Sequence, residues 1–186
     1  MPQLEVDIAS VDGNKPPGVD GFTKMKRAGI TQASIRGVYG RPANGQAPVF
    51  VDPIWLRDKD AVVAAGLKRS SYVLLCVPRT GMFTPEPEAQ IDAFCDYVTL
   101  DCPVIGQTPH DMVGCIDVEE ASDILNASEY YAWVLRAAKQ YRKRVGVWPQ
   151  MYTSHRVWHE YLGDHLPGQV AACPLWIAKP WPVPPN

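Results

Sequence analysis

The sequence predicts an α/β protein built around a mainly parallel β-sheet. Strand-like and helix-like segments alternate along the chain, and this alternation is typical of parallel strands that are connected by helices packed on the sheet. The 186 residues suit one domain, and a hydrophobic content of 46% is enough to bury a core. The pattern leaves open whether the sheet is open or closed into a barrel.

Each element follows from its own local signal. Alternating apolar residues predict strands at residues 4–8, 30–39, 71–77, 113–118, 149–153 and 174–178. Helical periodicity predicts helices at residues 21–28, 58–65, 85–100 and 156–166, and a longest helix for which Ser128 is the expected N-cap. Gly29, Gly66 and Gly146 are the expected ends of three helices.

Composition excludes several classes of function. Eighteen basic and twenty acidic residues give a net charge of -2, which lacks the basic excess of nucleic-acid-binding proteins. No apolar stretch approaches the roughly 18 residues of a membrane span, and the first residues do not have the pattern of a Sec signal. The five cysteines form no Cys-x-x-Cys pair, so we expect reduced, mostly buried thiols.

Two carboxylates at the end of an apolar strand are the strongest functional signal. Asp117 and Glu119 are two residues apart, so they share one face of a strand, and ligands bind at the C-terminal ends of parallel strands. A carboxyl pair in unequal environments can provide one protonated and one ionised group, as glycosidic cleavage requires. The alternative is that these acids cap the next helix or face solvent.

Asp7 is a third acid in the same kind of position. It lies in the apolar strand Val6-Asp7-Ile8, near the C-terminal end, and inward carboxylates are unusual in a structural core. The alternative is an aspartate that caps a neighbouring turn.

Several ordered motifs carry a family resemblance. They are Val6-Asp7-Ile8-Ala9-Ser10, Ser34-Ile35-Arg36-Gly37, Asp52-Pro53 with the helix end at 61–67, Tyr72, Ile116-Asp117-Val118-Glu119, Met151-Tyr152-Thr153-Ser154 and Leu175-Trp176-Ile177-Ala178. In this order they resemble glycoside hydrolase family 25, the Chalaropsis-type lysozymes. That family cleaves the β-1,4 bond between N-acetylmuramic acid and N-acetylglucosamine in peptidoglycan.

The resemblance implies an irregular TIM-like (β/α)5(β)3 barrel over residues 1–180, followed by a Pro-rich tail at 181–186. It implies a glycan cleft at the C-terminal strand ends, with Glu119 as the general acid. Asp117 and Asp7 would supply negative charge, either to an oxocarbenium-like centre or to the substrate's acetamido group acting as nucleophile. We expect no metal and no cofactor.

The resemblance also implies that four further residues line the cleft, namely Arg36, Tyr72, Tyr152 and Trp176. Aromatic faces stack on sugar rings, and a cation orients carboxylates. The alternatives are that the aromatic residues belong to the core and that Arg36 pairs with an acid inside the barrel.

The chain departs from the family pattern at several positions. Val73 and Leu74 replace a His-Phe pair, Asp58 stands where asparagine is usual, and Pro180 stands where tyrosine is expected. No segment matches the family's closing strand. Another segment or a partner chain would then complete the barrel, or its edge would be covered in another way, because open sheet edges invite unwanted pairing.

The expected function is a muramidase that acts on the glycan strands of peptidoglycan. Without a Sec signal, we expect synthesis in the cytoplasm and action on the cell wall as a phage-type endolysin or a virion-associated lysin. One alternative is a non-catalytic glycan-binding or structural virion module on the same barrel. Another is a related glycosidase that acts on a different amino-sugar polymer.

His155 and His159 are the remaining candidates for a metal site. They are spaced i, i+4 on a helical stretch, but Arg156 takes the position at which a zinc protease has its glutamate. We therefore expect ordinary surface histidines.

Overall fold

The computed structural model describes residues 5–9, 17–42, 49–101, 111–163 and 172–178. In chain order its elements are β1 (Glu5–Ile8), α1 (Gly18–Arg27), β2 (Gln32–Tyr39), β3 (Phe50–Val51), α2 (Pro53–Ala64), β4 (Lys68–Leu74), α3 (Pro87–Asp101), β5 (Cys115–Val118), α4 (Ala127–Val145), β6 (Gln150–Ser154), α5 (His155–Val157), a π-helical turn (Trp158–Leu162) and β7 (Leu175–Ala178).

The strands form one curled sheet. Its order is β1-β2-β4-β5-β6-β7 with every neighbouring pair parallel, and the short β3 pairs antiparallel with β2. Within the described residues β7 is not paired with β1, so the sheet is an open half-barrel. This confirms the expected α/β fold of irregular TIM-like form. Pro180 and the tail at 181–186 lie outside the described residues.

Gly37 marks an irregularity in β2 that the sheet requires. The register between β2 and β4 shifts between Arg36 and Val38. A Cβ atom at position 37 would lie 2.8 Å from Ser71 Oγ and 2.8 Å from a methyl group of Val98. Only glycine therefore allows β4 and α3 to pack this closely against the strand.

Two predicted helix starts are wrong, and side-chain caps explain both. Helix α2 begins at Pro53 rather than at 58, because Asp52 accepts a hydrogen bond from the Ile54 N–H (3.1 Å) and proline suits the first helical position. Helix α4 is capped by Asn126 rather than Ser128. Asn126 and Glu129 form a reciprocal capping box, which satisfies two backbone N–H groups at once.

Other boundaries differ because short elements leave weak periodic signals. The sequence did not predict β3, which has only two residues, and β4 begins at Lys68 rather than 71. The helix predicted at 156–166 is α5 followed by the π-helical turn, and residues 164–166 lie outside the described part of the chain. Gly146, with a φ of 88°, ends α4 as predicted.

The core lies between the sheet and the surrounding helices. Its largest fully buried side chains are Trp55, Tyr130, Tyr141, Phe22 and Phe94, all of them on helices. Burying this aromatic surface on one side of the sheet leaves the other side free for polar residues, which is where the candidate site lies.

The cysteines agree with the sequence-based expectation. Cys76, Cys95, Cys115 and Cys173 are free thiols and are buried, whereas Cys102 lies outside the described residues. Among the described helices, none is sufficiently long and apolar to span a bilayer.

Candidate active site

A pocket open to solvent lies inside the half-barrel, between its curled strands. Its volume is about 520 Å³, and its lining consists of Asp7, Ser34, Tyr72, Cys115, Asp117, Tyr152 and Trp176. These residues come from β1, β2, β4, β5, β6 and β7. The pocket therefore exists only because the sheet curls and brings distant strands together.

Strand register explains why the lining residues meet. Asp117 on β5 pairs with Tyr152 on β6, and Tyr152 pairs with Trp176 on β7, so these three residues form one row across the sheet. On β1, Asp7 pairs with Ser34 of β2. Paired residues in a sheet point to the same face, and that face is the inside of the half-barrel.

Asp117 is the most deeply buried carboxyl of the site. It is 6% exposed, and its Oδ1 atom has no hydrogen-bond partner among the described residues. Burial, followed by the negative charges of Glu119 and Asp7, raises the pKa of Asp117 to about 8, although Arg36 acts in the opposite direction. A carboxyl with this pKa is mostly protonated at pH 7.

Glu119 follows β5 directly and is exposed to solvent. Partial burial and the charge of Asp7 raise its pKa, and a hydrogen bond from the Tyr152 hydroxyl opposes that shift. The carboxylates in turn disfavour the phenolate, and together with burial they raise the pKa of Tyr152 to about 12. Glu119 is thus an accessible acid with an elevated proton affinity, which is a property of general acids.

Asp7 lies at the rim of the same pocket and is accessible to solvent. Shielding by the pocket wall raises its pKa, whereas the hydrogen bond with Tyr72 and the charge of Arg36 lower it. The charge of Asp7 helps to raise the pKa of both Asp117 and Glu119, and the charge of Glu119 helps to raise the pKa of Asp117. Asp7 and Asp117 line the pocket, and Glu119 lies beside it, where it accepts a hydrogen bond from Tyr152 of the lining.

Three of the four predicted cleft residues line the pocket. Tyr72 has a raised pKa, chiefly from burial and then from Asp7, so its hydroxyl stays protonated and can donate to that carboxylate. Tyr152 and Trp176 pack edge to face, with ring centroids 4.8 Å apart, and form an aromatic wall.

Arg36 is outside this lining. Its Nε donates to Asp52 Oδ2 at 2.9 Å, and its guanidinium lies over the ring of Tyr39, 5.7 Å from the centroid. Arg36 therefore forms an ion pair with an acid, which is the alternative role considered for it above. Its charge still lowers the pKa of Asp7 and Asp117.

Sequence reasoning missed two residues of the lining. Cys115 lies two positions before Asp117, and Ser34 lies two positions before Arg36. The two-residue period of a strand would have placed both on the inner face.

The chemistry of the site is that of carboxyl groups. In the described ranges no cluster of three or more His, Cys, Asp or Glu residues is arranged to hold a metal ion. His155 and His159 are exposed, and their Nε2 atoms are 3.1 Å apart. Two exposed rings alone do not provide the three or four ligands of a protein zinc site.

Solved structures similar to this chain come from fungi, bacteria and a phage. A muramidase from Trichobolus zukalii has 20% identity and a TM-score of 0.72, and the match covers 95% of this chain and 77% of that one. A lysozyme from Streptomyces coelicolor has 18% identity and a TM-score of 0.72, with 96% and 75% coverage. The catalytic domain of endolysin ply40 from bacteriophage P40 of Listeria monocytogenes has 14% identity and a TM-score of 0.61, with 91% and 71% coverage.

The TM-scores show that the fold is shared, and at identities this low they show the fold alone. No curated protein sequence matches the chain. The sequence-family comparison goes further, because the family model described as "Glycosyl hydrolases family 25" matches residues 6–185. That match covers nearly the whole chain, including all three carboxyls. The chain therefore belongs to glycosyl hydrolases family 25.

Proposed function

We propose that the protein is a muramidase that hydrolyses the β-1,4 bond between N-acetylmuramic acid and N-acetylglucosamine in peptidoglycan. The observation that carries the proposal is the pocket lined by Asp7 and Asp117, together with Glu119, whose pKa the charge of Asp7 raises and which accepts a hydrogen bond from Tyr152 of the lining. Membership of a glycosidase family and the fold shared with muramidases and lysozymes support it.

In this proposal Glu119 protonates the leaving glycosidic oxygen. It is more accessible than Asp117, and partial burial and the charge of Asp7 raise its pKa, which favours the protonated form that a general acid needs. General acid catalysis of this kind is worth about 10² to 10⁴ in rate. Asp7, which is hydrogen-bonded to Tyr72, supplies negative charge at the rim.

Asp117 must be ionised to stabilise positive charge or to orient an acetamido group, yet its pKa of about 8 favours the protonated form at pH 7. Positive charge that develops on the sugar favours the carboxylate form of Asp117. Strongly interacting carboxyls titrate as a group, so substrate can shift the shared proton from Asp117 towards Glu119. The proposal therefore predicts that activity falls at different alkaline pH values in the two profiles. The profile of kcat/KM reports the pKa values of the free enzyme, and that of kcat reports those of the enzyme–substrate complex.

The aromatic wall of Tyr152 and Trp176 supports a sugar-binding role for the pocket. Flat aromatic faces contact the apolar faces of sugar rings, and the edge-to-face packing of the two rings holds them in place. Tyr72 would contact the sugar next to Asp7. Arg36 would act through its charge, which lowers the pKa of Asp7 and Asp117.

The test is digestion of purified peptidoglycan, measured by release of reducing ends and by mass spectrometry of the fragments. We expect muramic acid at the new reducing ends, and an activity loss of about 10²-fold or more for Glu119→Gln. The matched control is Glu160→Gln, which removes an exposed carboxyl paired with Arg156 and should leave activity unchanged. A Glu119→Gln variant as active as the parent would exclude this assignment, and cleavage of chitin in preference to peptidoglycan would indicate another glycosidase.

A second candidate is a non-catalytic glycan-binding or structural virion module on the same half-barrel. Two observations favour it. Within the described residues the sheet is open. Leu74, on the same strand face as Tyr72, stands where the family pattern has phenylalanine. Such a module would bind peptidoglycan fragments without releasing reducing ends between pH 4 and 8.

We also propose that the site of action is the bacterial cell wall, reached by phage-type release or on a virion. The fold shared with a phage endolysin domain supports this. Immunodetection of the protein in purified phage particles and in lysates of infected cells would distinguish the two routes, and its presence in neither would contradict both.

A further inference from the structure

Hydroxyl groups from neighbouring elements bind the backbone carbonyls of the two residues that flank Glu119, Val118 and Glu120. Thr153 on β6 donates to the carbonyl of Val118 at 2.7 Å, and this contact is buried. Tyr130 on α4 donates to the carbonyl of Glu120, also at 2.7 Å. Tertiary contacts therefore set the direction in which Glu119 leaves strand β5.

The side chain of Glu120 makes a third tertiary contact that holds this segment in place. Arg41 binds it through both arms of its guanidinium, with Nη2–Oε2 at 2.6 Å and Nη1–Oε1 at 3.3 Å, and Nη2 also donates to the carbonyl of Val77 at 3.2 Å. The Tyr39 hydroxyl donates to the same carboxylate at 3.4 Å. The Arg41 and Glu120 side chains are only 11% and 17% exposed, so solvent screens this forked ion pair weakly.

Neither Glu119 nor Glu120 is part of the pocket lining, but Glu119 accepts a hydrogen bond from Tyr152, which is. Successive residues of an extended chain point to opposite sides, so Glu120 turns away from the face that Asp117 and Glu119 share. An effect of Glu120 on a bound glycan must therefore pass through its neighbour.

We propose that Arg41 is a positioning residue: its ion pair with Glu120 fixes the backbone that holds Glu119 against Tyr152 of the pocket lining. This inference rests on the proposed function, in which Glu119 is the proton donor. The pair also balances charge behind the site, because a lone Glu120 carboxylate would repel the pocket carboxyls and a lone Arg41 would attract them.

Glu120 and Asp117 each lie close to several other titratable groups. Around Glu120 these are Arg41, Tyr39, Cys76 and Tyr130. Around Asp117 they are Glu119, Asp7, Arg36, Glu120, Tyr72, Tyr130 and Tyr152. Because the charge of Glu120 contributes to the raised pKa of Asp117, unbalancing the pair must change the titration of the pocket.

The test compares Arg41→Gln, Glu120→Gln, the double variant and Arg41→Lys. The measurements are kcat and KM on soluble peptidoglycan fragments as a function of pH, and carbon NMR titration of the pocket carboxyls. For Arg41→Gln we expect a kcat roughly 10- to 100-fold lower with KM within about twofold, because misplaced catalytic groups affect the chemical step. Arg41→Lys keeps the charge but loses the fork, so it should keep the pH profile and recover part of kcat.

The direction of each pH shift distinguishes a specific effect on the pocket carboxyls from a general loss of protein stability. Arg41→Gln should move the alkaline limb and the carboxyl titration to higher pH, Glu120→Gln should move both to lower pH, and the double variant should return them towards the parent. The matched control is the exposed pair Arg156 and Glu160, whose neutralisation should change nothing. If Arg41→Gln does not fold, Arg41→Lys and the double variant, which leaves no unpaired charge, provide the comparison.

Unchanged kcat and pH profile in every folded variant would overturn the inference, as would shifts of the same sign for Arg41→Gln and Glu120→Gln. A parent protein that releases no reducing ends would instead contradict the proposed function. In that case, NMR titration shifts of opposite sign for Arg41→Gln and Glu120→Gln would still support an effect of the ion pair on the pocket carboxyls. The absence of such shifts would overturn the inference.

Discussion

Replacing Asp117 by asparagine should stabilise the protein, and more so as the pH rises. Asp117 is buried, its Oδ1 has no hydrogen-bond partner in the described part of the chain, and its pKa is raised to about 8. Asparagine has nearly the same volume but cannot ionise. The substitution therefore removes the free-energy cost of keeping this carboxyl protonated above its ordinary pKa, and it keeps the packing.

The sign follows from proton linkage. Below pH 4 the carboxyl is protonated in both the folded and the unfolded chain, so its titration contributes nothing. Between about pH 4 and 8 the unfolded chain ionises freely while the folded chain resists, so stability falls as the pH rises. One pKa unit corresponds to about 1.4 kcal/mol, so the roughly three units between the ordinary value and pH 7 amount to at most about 4 kcal/mol.

The assay is urea unfolding followed by circular dichroism from pH 4 to pH 8. We expect Asp117→Asn and the parent to be nearly equal at pH 4, and the variant to be more stable by up to about 4 kcal/mol at pH 7. For a chain of this length, that corresponds to a Tm higher by roughly 10 °C. The control is Asp20→Asn, an exposed acid in the first turn of α1, which should cost no more than about 1 kcal/mol through the helix dipole.

A stability difference between Asp117→Asn and the parent that is the same at pH 4 and pH 7 would refute the reasoning. Such a result would mean that the carboxyl ionises in the folded chain as easily as in water. If the proposed function is right, the stabilised variant should also lose activity, as is common when a strained active-site group is replaced.

Three further predictions concern the sheet, a helix and the acid. Gly37→Ala should destabilise the protein by about 1–3 kcal/mol in urea unfolding, because the new Cβ meets the Ser71 hydroxyl at 2.8 Å; an unchanged midpoint would mean that β2 and β4 can separate freely. Asn126→Ala should cost about 1 kcal/mol in the same assay through loss of the α4 cap, and serine at this position should restore most of it. Tyr152→Phe removes the hydrogen bond that lowers the pKa of Glu119, so the alkaline limb of kcat/KM should move to higher pH, and a shift to lower pH would contradict the contact.

Much of the candidate site could be predicted from local sequence patterns. The two-residue period of a strand places Asp117 and Glu119 on one face, and the strand ends in an α/β fold indicate where a ligand binds. The same period would have identified Cys115. Helix caps were predicted less well, because Asn126 and Ser128 are both good N-cap residues and only the capping box distinguishes them.

The partner of Arg36 could not be predicted in this way. Asp52 is its ion-pair partner, and it reaches that position because the two-residue strand β3 folds back onto the end of β2. So short a strand leaves no periodic signal. The ion pair of Arg41 with Glu120 joins residues 79 positions apart, and no local pattern relates them.

The sequence by itself determined the alternation of strands and helices, the family, and the acids that end β1 and β5. Only the tertiary structure decided that these acids share one pocket, that Asp117 is the carboxyl that retains its proton, and that Arg36 faces Asp52. The reason is physical: periodicity and capping are properties of a few adjacent residues, whereas burial and charge interaction depend on which distant strands the curled sheet brings together.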